Sequence, residues 1–150
     1  MPQTAGPFFT PNSAERTSLL EEGLRGVYMI LSGQVLGNDC QPVAGALLDF
    51  WHADADGVYD NAGSRLRGHQ FADNQGRYRL ETIMPGLYSG RTRHFHVRVQ
   101  PPNGPVLTTQ LYFPDETANA SDGIFDERLL MTMLPADSGA HDNFDFVLEI

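Results

Sequence analysis

The sequence predicts an all-β protein, an antiparallel β-sandwich with long loops and one or two short helices. Three observations carry that reading. Short runs alternate polar and apolar residues with period two. Fifteen glycines and ten prolines punctuate the 150 residues between those runs. Helical patterning is confined to two short stretches, so strands and turns must supply the architecture.

Taken in order, residues 13–23 (SAERTSLLEEG) are the early helical candidate, with Ser13 placed as its N-cap. Strand candidates follow at 26–36, 45–52, 77–83, 93–100, 106–112 and 143–149, each rich in β-branched, aromatic or alternating residues. Asp73-Asn-Gln-Gly76 and Pro101-Pro-Asn-Gly104 carry turn chemistry. His69 is read as lying in a loop after Arg67-Gly68. The segment 115–134 opens with loop signals and ends in a short helix around Asp126–Met133. Nothing divides the chain, so residues 1–150 read as a single domain with a core of its own.

Composition removes several function classes. The net charge is −9, and no basic stripe exists to displace the counterions of nucleic acid or to meet an anionic membrane. No apolar run of membrane-spanning length occurs, and no signal peptide is visible at Met1, so the default expectation is a cytoplasmic location, while a secreted protein trimmed to its mature form would read the same. Lysine is absent, which excludes Schiff-base catalysis. Cys40 is the single cysteine and has no internal disulfide partner. Arg91, Arg93 and Arg98 cluster in an otherwise acidic chain. They read either as surface arginines or as an electropositive mouth for an anionic substrate.

The richest chemistry lies in Tyr88-Ser-Gly-Arg-Thr-Arg-His94-Phe-His96. His94, His96 and Arg98 alternate with Phe95, Val97 and Val99, which is strand periodicity. Residues i and i+2 of a strand share a face about 7 Å apart, so the two imidazoles can converge on one metal. The spacing alone also suits two histidines that decorate an edge strand. Tyr28, Tyr78 and Tyr112 lie inside strand patterns, where packing is the expected role. Tyr59 and Tyr88 follow the turn-forming runs Asp56-Gly57 and Pro85-Gly86, so both can point out of the core. A phenol ordinarily ionises near pH 10, and binding it at neutral pH calls for a hard trivalent cation. Zinc prefers His, Cys and carboxylate, and ferrous oxygenases use two His and one carboxylate. Two Tyr with two His therefore suggest Fe(III). His52, His69 and His141 read as structural or surface residues, and Asp54, Asp56 and Asp60 as a solvated turn without the pattern of a calcium loop.

The sequence then resembles a known family. The runs Trp51-His-Ala-Asp-Ala-Asp-Gly57-Val-Tyr59, Asp73-Asn-Gln-Gly76-Arg-Tyr78 and Thr82-Ile-Met-Pro85-Gly-Leu-Tyr88 are similar to those of the intradiol ring-cleavage dioxygenases. So are Gly90-Arg91-Thr-Arg93-His94-Phe-His96, Leu107-Thr-Thr-Gln110-Leu-Tyr-Phe113-Pro114 and the early Thr4-Ala-Gly6-Pro7-Phe8. The resemblance implies non-haem Fe(III) held by Tyr59, Tyr88, His94 and His96, with Tyr88 and His96 axial. It implies Arg91 beside the bound ring, Gln110 as its partner on the next strand, and Tyr88 as a proton acceptor. The implied reaction uses O2 to cleave a small aromatic diol between its hydroxylated carbons, giving a cis,cis-muconate-type dicarboxylate. The catechol-cleaving branch carries a helical N-terminal dimerisation domain for which this chain has no room. Its size resembles the bare catalytic core, so any homo-oligomer would use the sandwich surface. Two other readings stay open: an iron-binding member acting on a polyphenol or quinol, and a non-enzymatic transthyretin-like sandwich module.

Overall fold

The computed structural model describes residues 1–9, 11–60, 65–88, 90–136 and 139–150. Nine strands are formed among them: β1 Tyr28–Gly37, β2 Leu47–Trp51, β3 Arg67–Phe71, β4 Arg77–Ile83, β5 His94–Gln100, β6 Leu107–Tyr112, β7 Thr132–Leu134, β8 Ala140–Asn143 and β9 Phe146–Leu148. One sheet has the order β4-β1-β8-β7, with β9 also pairing on β1, and the other has the order β3-β2-β5-β6. Most pairings are antiparallel, while β8 and β9 run parallel to β1. Two short 3-10 helices, Thr117–Ser121 and Glu127–Leu129, sit in the connection from β6 to β7.

Alternation decides which face each strand buries. Met29, Leu31 and Val35 of β1 and Tyr78 and Leu80 of β4 point inward from one sheet. Leu48 and Phe50 of β2, Phe95, Val97 and Val99 of β5 and Leu111 of β6 answer from the other. These residues form one contiguous core between the sheets. The partner residues in the alternation, Trp51, His94, His96, Gln110 and Tyr112, therefore lie on the opposite face of the second sheet. They too are buried, because chain passes over them.

The expected early helix is not formed. Residues 14–19 run extended and exchange backbone hydrogen bonds with both sheets: Arg16 N with His69 O and His69 N with Ala14 O, then Leu19 N with Glu81 O and Glu81 N with Thr17 O. β3 and β4 are edge strands, and this segment satisfies amides that an edge would leave open. Leu19 anchors it in the core. Ser13 caps no helix; its hydroxyl donates to Asp49 and meets His69 Nδ1. Residues 67–71, read as a loop around His69, form β3. The strand expected at 143–149 is two short strands broken at Phe144-Asp145, and the helix expected near 126–133 shrinks to one 3-10 turn.

Candidate metal centre

β5 carries two of the four key side chains. His94 and His96 project from the same face, and their Nε2 atoms lie 3.1 Å apart. Tyr59 and Tyr88 arrive on loops that follow β2 and β4. Those loops are fastened together where Gly86 N donates to Asp54 O at 2.7 Å. The approach is close enough that a Cβ on Gly57, whose φ is +80°, would fall 2.2 Å from Leu87 O. The result brings both hydroxyls to the histidines. Tyr59 Oη lies 3.1 Å from His96 Nε2 and 3.4 Å from His94 Nε2, and Tyr88 Oη lies 3.3 Å from His94 Nε2.

Four donor atoms about 3 Å from their neighbours is the spacing of ligands placed around one ion at about 2.0–2.2 Å. The protonation states agree. His94 Nδ1 bonds Thr92 O at 2.7 Å, which as donor leaves Nε2 as a bare lone pair facing the other three. Burial, then Arg91, pushes His94 down to about 4, and burial, then His94 and Arg91, pushes His96 down to about 2. Both rings are neutral at pH 7, as ligation requires. Burial first, and then the Tyr88 hydroxyl, raises Tyr59 above the ordinary phenol range, so only a strong nearby cation would ionise it. Among the described residues no group of three or more His, Cys, Asp or Glu is gathered elsewhere to hold a metal.

The N-terminal segment roofs this cluster. Trp51 stacks on His96 with centroids 5.0 Å apart, and Phe9 packs on Trp51 while Phe8 stacks on Tyr59. Gly6, with φ +71°, passes so close that a Cβ there would lie 3.3 Å from His96 Cε1. Tyr59 is buried, whereas Tyr88 is half-buried.

Arg91 and Gln110 meet beside the donors. An Arg91 Nη2 donates to Gln110 Oε1, and Gln110 Nε2 donates to Thr4 O at 2.9 Å. Arg91 Nε donates to Asp122 Oδ2 at 2.8 Å, and the Asp122 side chain is fully enclosed. Asp122 also accepts from Thr92 N at 2.8 Å and Ile124 N at 3.0 Å. Burial raises its carboxyl, but those amides and Arg91 outweigh burial and hold it below the usual range. Tyr112, read as packing only, also reaches this network, donating to Gln3 Oε1 at 2.7 Å. Asp122 was missed because nothing in an Asp-Gly dipeptide within a loop marks it as the partner of a residue thirty-one positions away.

The electropositive mouth is not formed. Arg91 is paired with Asp122, and Arg93 lies 2.9 Å from Glu116 while also donating to Pro85 O. Arg98 lies over the Phe9 ring at 4.8 Å. The remaining histidines stand apart from the donor set. His52 bonds Thr82 Oγ1 and Ala53 O, His69 meets Ser13, and His141 meets Ser32.

The two-sheet sandwich thus gathers two phenols and two imidazoles on its outer face beside a fixed guanidinium, roofed by its own N-terminal segment. Residues 4–149 match the family described as Dioxygenase (Dioxygenase_C), and the chain belongs to that family. It is 51% identical, with a TM-score of 0.97 over all of this chain and 97% of the other, to the dioxygenase domain of a dioxygenase carbohydrate-binding protein fusion from Streptomyces sp. SirexAA-E. It superposes with a TM-score of 0.92 at 26% identity on 3-chlorocatechol 1,2-dioxygenase from Rhodococcus opacus 1CP, covering 99% of this chain and 71% of that one. A chlorocatechol 1,2-dioxygenase of Pseudomonas sp. strain P51 is 29% identical over 81% of this chain and 58% of its own length. The chain thus spans little more than half the length of that chlorocatechol dioxygenase. Among the described residues no helix is long and apolar enough to cross a membrane.

Proposed function

We propose that this chain is an intradiol, ortho-cleaving dioxygenase that uses non-haem Fe(III) and O2 to open the ring of a catechol-type diol between its hydroxylated carbons. The product is a cis,cis-muconate-type dicarboxylate, formed from one ring and one O2 with no other co-reactant. Residues 1–150 act in this reading as one catalytic sandwich. The observation that carries it is the convergence of Tyr59 Oη, Tyr88 Oη, His94 Nε2 and His96 Nε2, a donor set without carboxylate or thiolate. Family membership supports it.

Tyr59, Tyr88, His94 and His96 would hold the ion. Its contribution is Lewis acidity, which lets bound hydroxyls lose their protons at neutral pH. The protein does the rest. Tyr59, stacked on Phe8 and enclosed, stays in place. Tyr88 is the more accessible of the two and, ionised when it holds the ion, is the one that could accept a ring hydroxyl's proton at its phenolate Oη. Arg91 is held by Asp122 and Gln110, so its positive charge is already oriented when negative charge grows on the ring. Gln110 is fixed in turn by Thr4 O. The roof of Phe8, Phe9 and Trp51 keeps water from the opposite side.

Oxygen uptake by iron-loaded protein with a panel of catechols tests the reaction. One O2 consumed per ring, with a muconate-type product, is the expected result. Protein that holds iron and consumes no O2 with any diol would overturn it.

A further inference from the structure

This inference rests on the reading above and concerns which diol the site accepts. Three arginines around the donor cluster are paired with carboxylates. Arg91 is bonded to Asp122, Arg93 to Glu116, and Arg65 lies 3.8 Å from Glu21. A cavity of about 380 Å³ that touches Tyr59, but not Tyr88, His94, His96 or Arg91, is lined by Asp54 and Asp60 as well as Arg65. A carboxylate carried beside these paired arginines would lose water and face the carboxylates that already hold them, which is costly. Asp122 is the decisive member. Its side chain is completely enclosed, and it contacts Arg91, the guanidinium that bonds Gln110. It also grips Thr92 N, and the Thr92 carbonyl in turn bonds His94. One carboxylate therefore holds both the guanidinium and the start of the ligand-bearing strand.

We propose that Asp122 is a positioning residue that also sets the charge preference of the site: it fixes Arg91 and occupies the Nε edge of its guanidinium, so that Arg91 keeps its charge for the ring oxygens yet has no free edge to pair with a substrate carboxylate, and the ring diol accepted carries none. Removing the Asp122 charge while keeping the side chain's shape loosens that edge and admits a carboxylated ring. A merely structural Asp122 would weaken all ligands alike, whereas this role changes their ratio.

The test is an anaerobic titration of iron-loaded protein with catechol and with 3,4-dihydroxybenzoate, read from the visible spectrum. Wild type should bind catechol at least about tenfold more tightly. Asp122→Asn should narrow that ratio by about tenfold, and Asp122→Glu should restore it. Thermal melting of each variant establishes that it is folded; if Asp122→Asn is not, the wild-type ratio decides. Equal or tighter binding of 3,4-dihydroxybenzoate by wild type overturns the proposal, as does an Asp122→Asn ratio that is unchanged while both affinities fall. Those outcomes leave the dioxygenase reading standing. A spectrum that responds to neither ring overturns both.

Discussion

At the scale of single residues, the donor cluster is maintained by burial. His94 is held at about 4, His96 at about 2 and, by burial, His52 at about 4, all below an imidazole's ordinary 6.5. The unfolded chain therefore binds more protons than the folded one as pH falls from 6.5 towards 4. The stability these rings permit is full above pH 6.5 and is lost through that window. The melting temperature of metal-free protein should accordingly fall from pH 7 to pH 4.5, and His52→Gln should make that fall shallower. A flat profile would contradict the neutral, enclosed histidines. Arg91→Ala should retain iron yet lower turnover by about 10²–10³, the usual loss for one preorganised charge-stabilising donor, as steady-state rates would show. Wild-type turnover in that variant would remove the electrostatic role.

At the scale of elements, the N-terminal segment does two jobs. Residues 3–9 cover the donor face, and residues 14–19 join the edges of the two sheets. Gly6→Ala should cost about 1–2 kcal/mol, from the left-handed backbone there and the contact with His96, measurable by denaturant unfolding. Leu19→Ala should cost about 2–5 kcal/mol, because its side chain is fully enclosed between the sheets. The sequence made β5 legible, since His94 and His96 alternate with apolar Phe95 and Val97. It did not reveal β3, because Arg67-Gly-His-Gln-Phe71 has no apolar alternation and becomes a strand only through its register with β2. Residues 13–23 carry helix formers, yet their amides are claimed by β3 and β4, a tertiary demand that local propensity does not report. The same limit applies to Asp122, whose importance exists only once Arg91 is beside it.

At the scale of the whole molecule, the second sheet serves two purposes through one alternation. Its inner face builds the core with Phe50, Phe95, Val97 and Leu111, and its outer face builds the site with His94, His96, Trp51 and Gln110. The proposed donor set thus lies on the back of the stabilising layer, where β-structure holds two histidines in fixed relation and loops bring the tyrosines to them. Tyr59, Tyr88, His94 and His96 are proposed to bind ferric iron as a set. The most direct measurement is the visible absorption of metal-free protein titrated with Fe(III). A tyrosinate-to-metal charge-transfer band should appear that saturates at one equivalent, is lost together with most iron affinity in Tyr59→Phe, and persists in Arg91→Ala. Protein that stays colourless and iron-free after titration would contradict it.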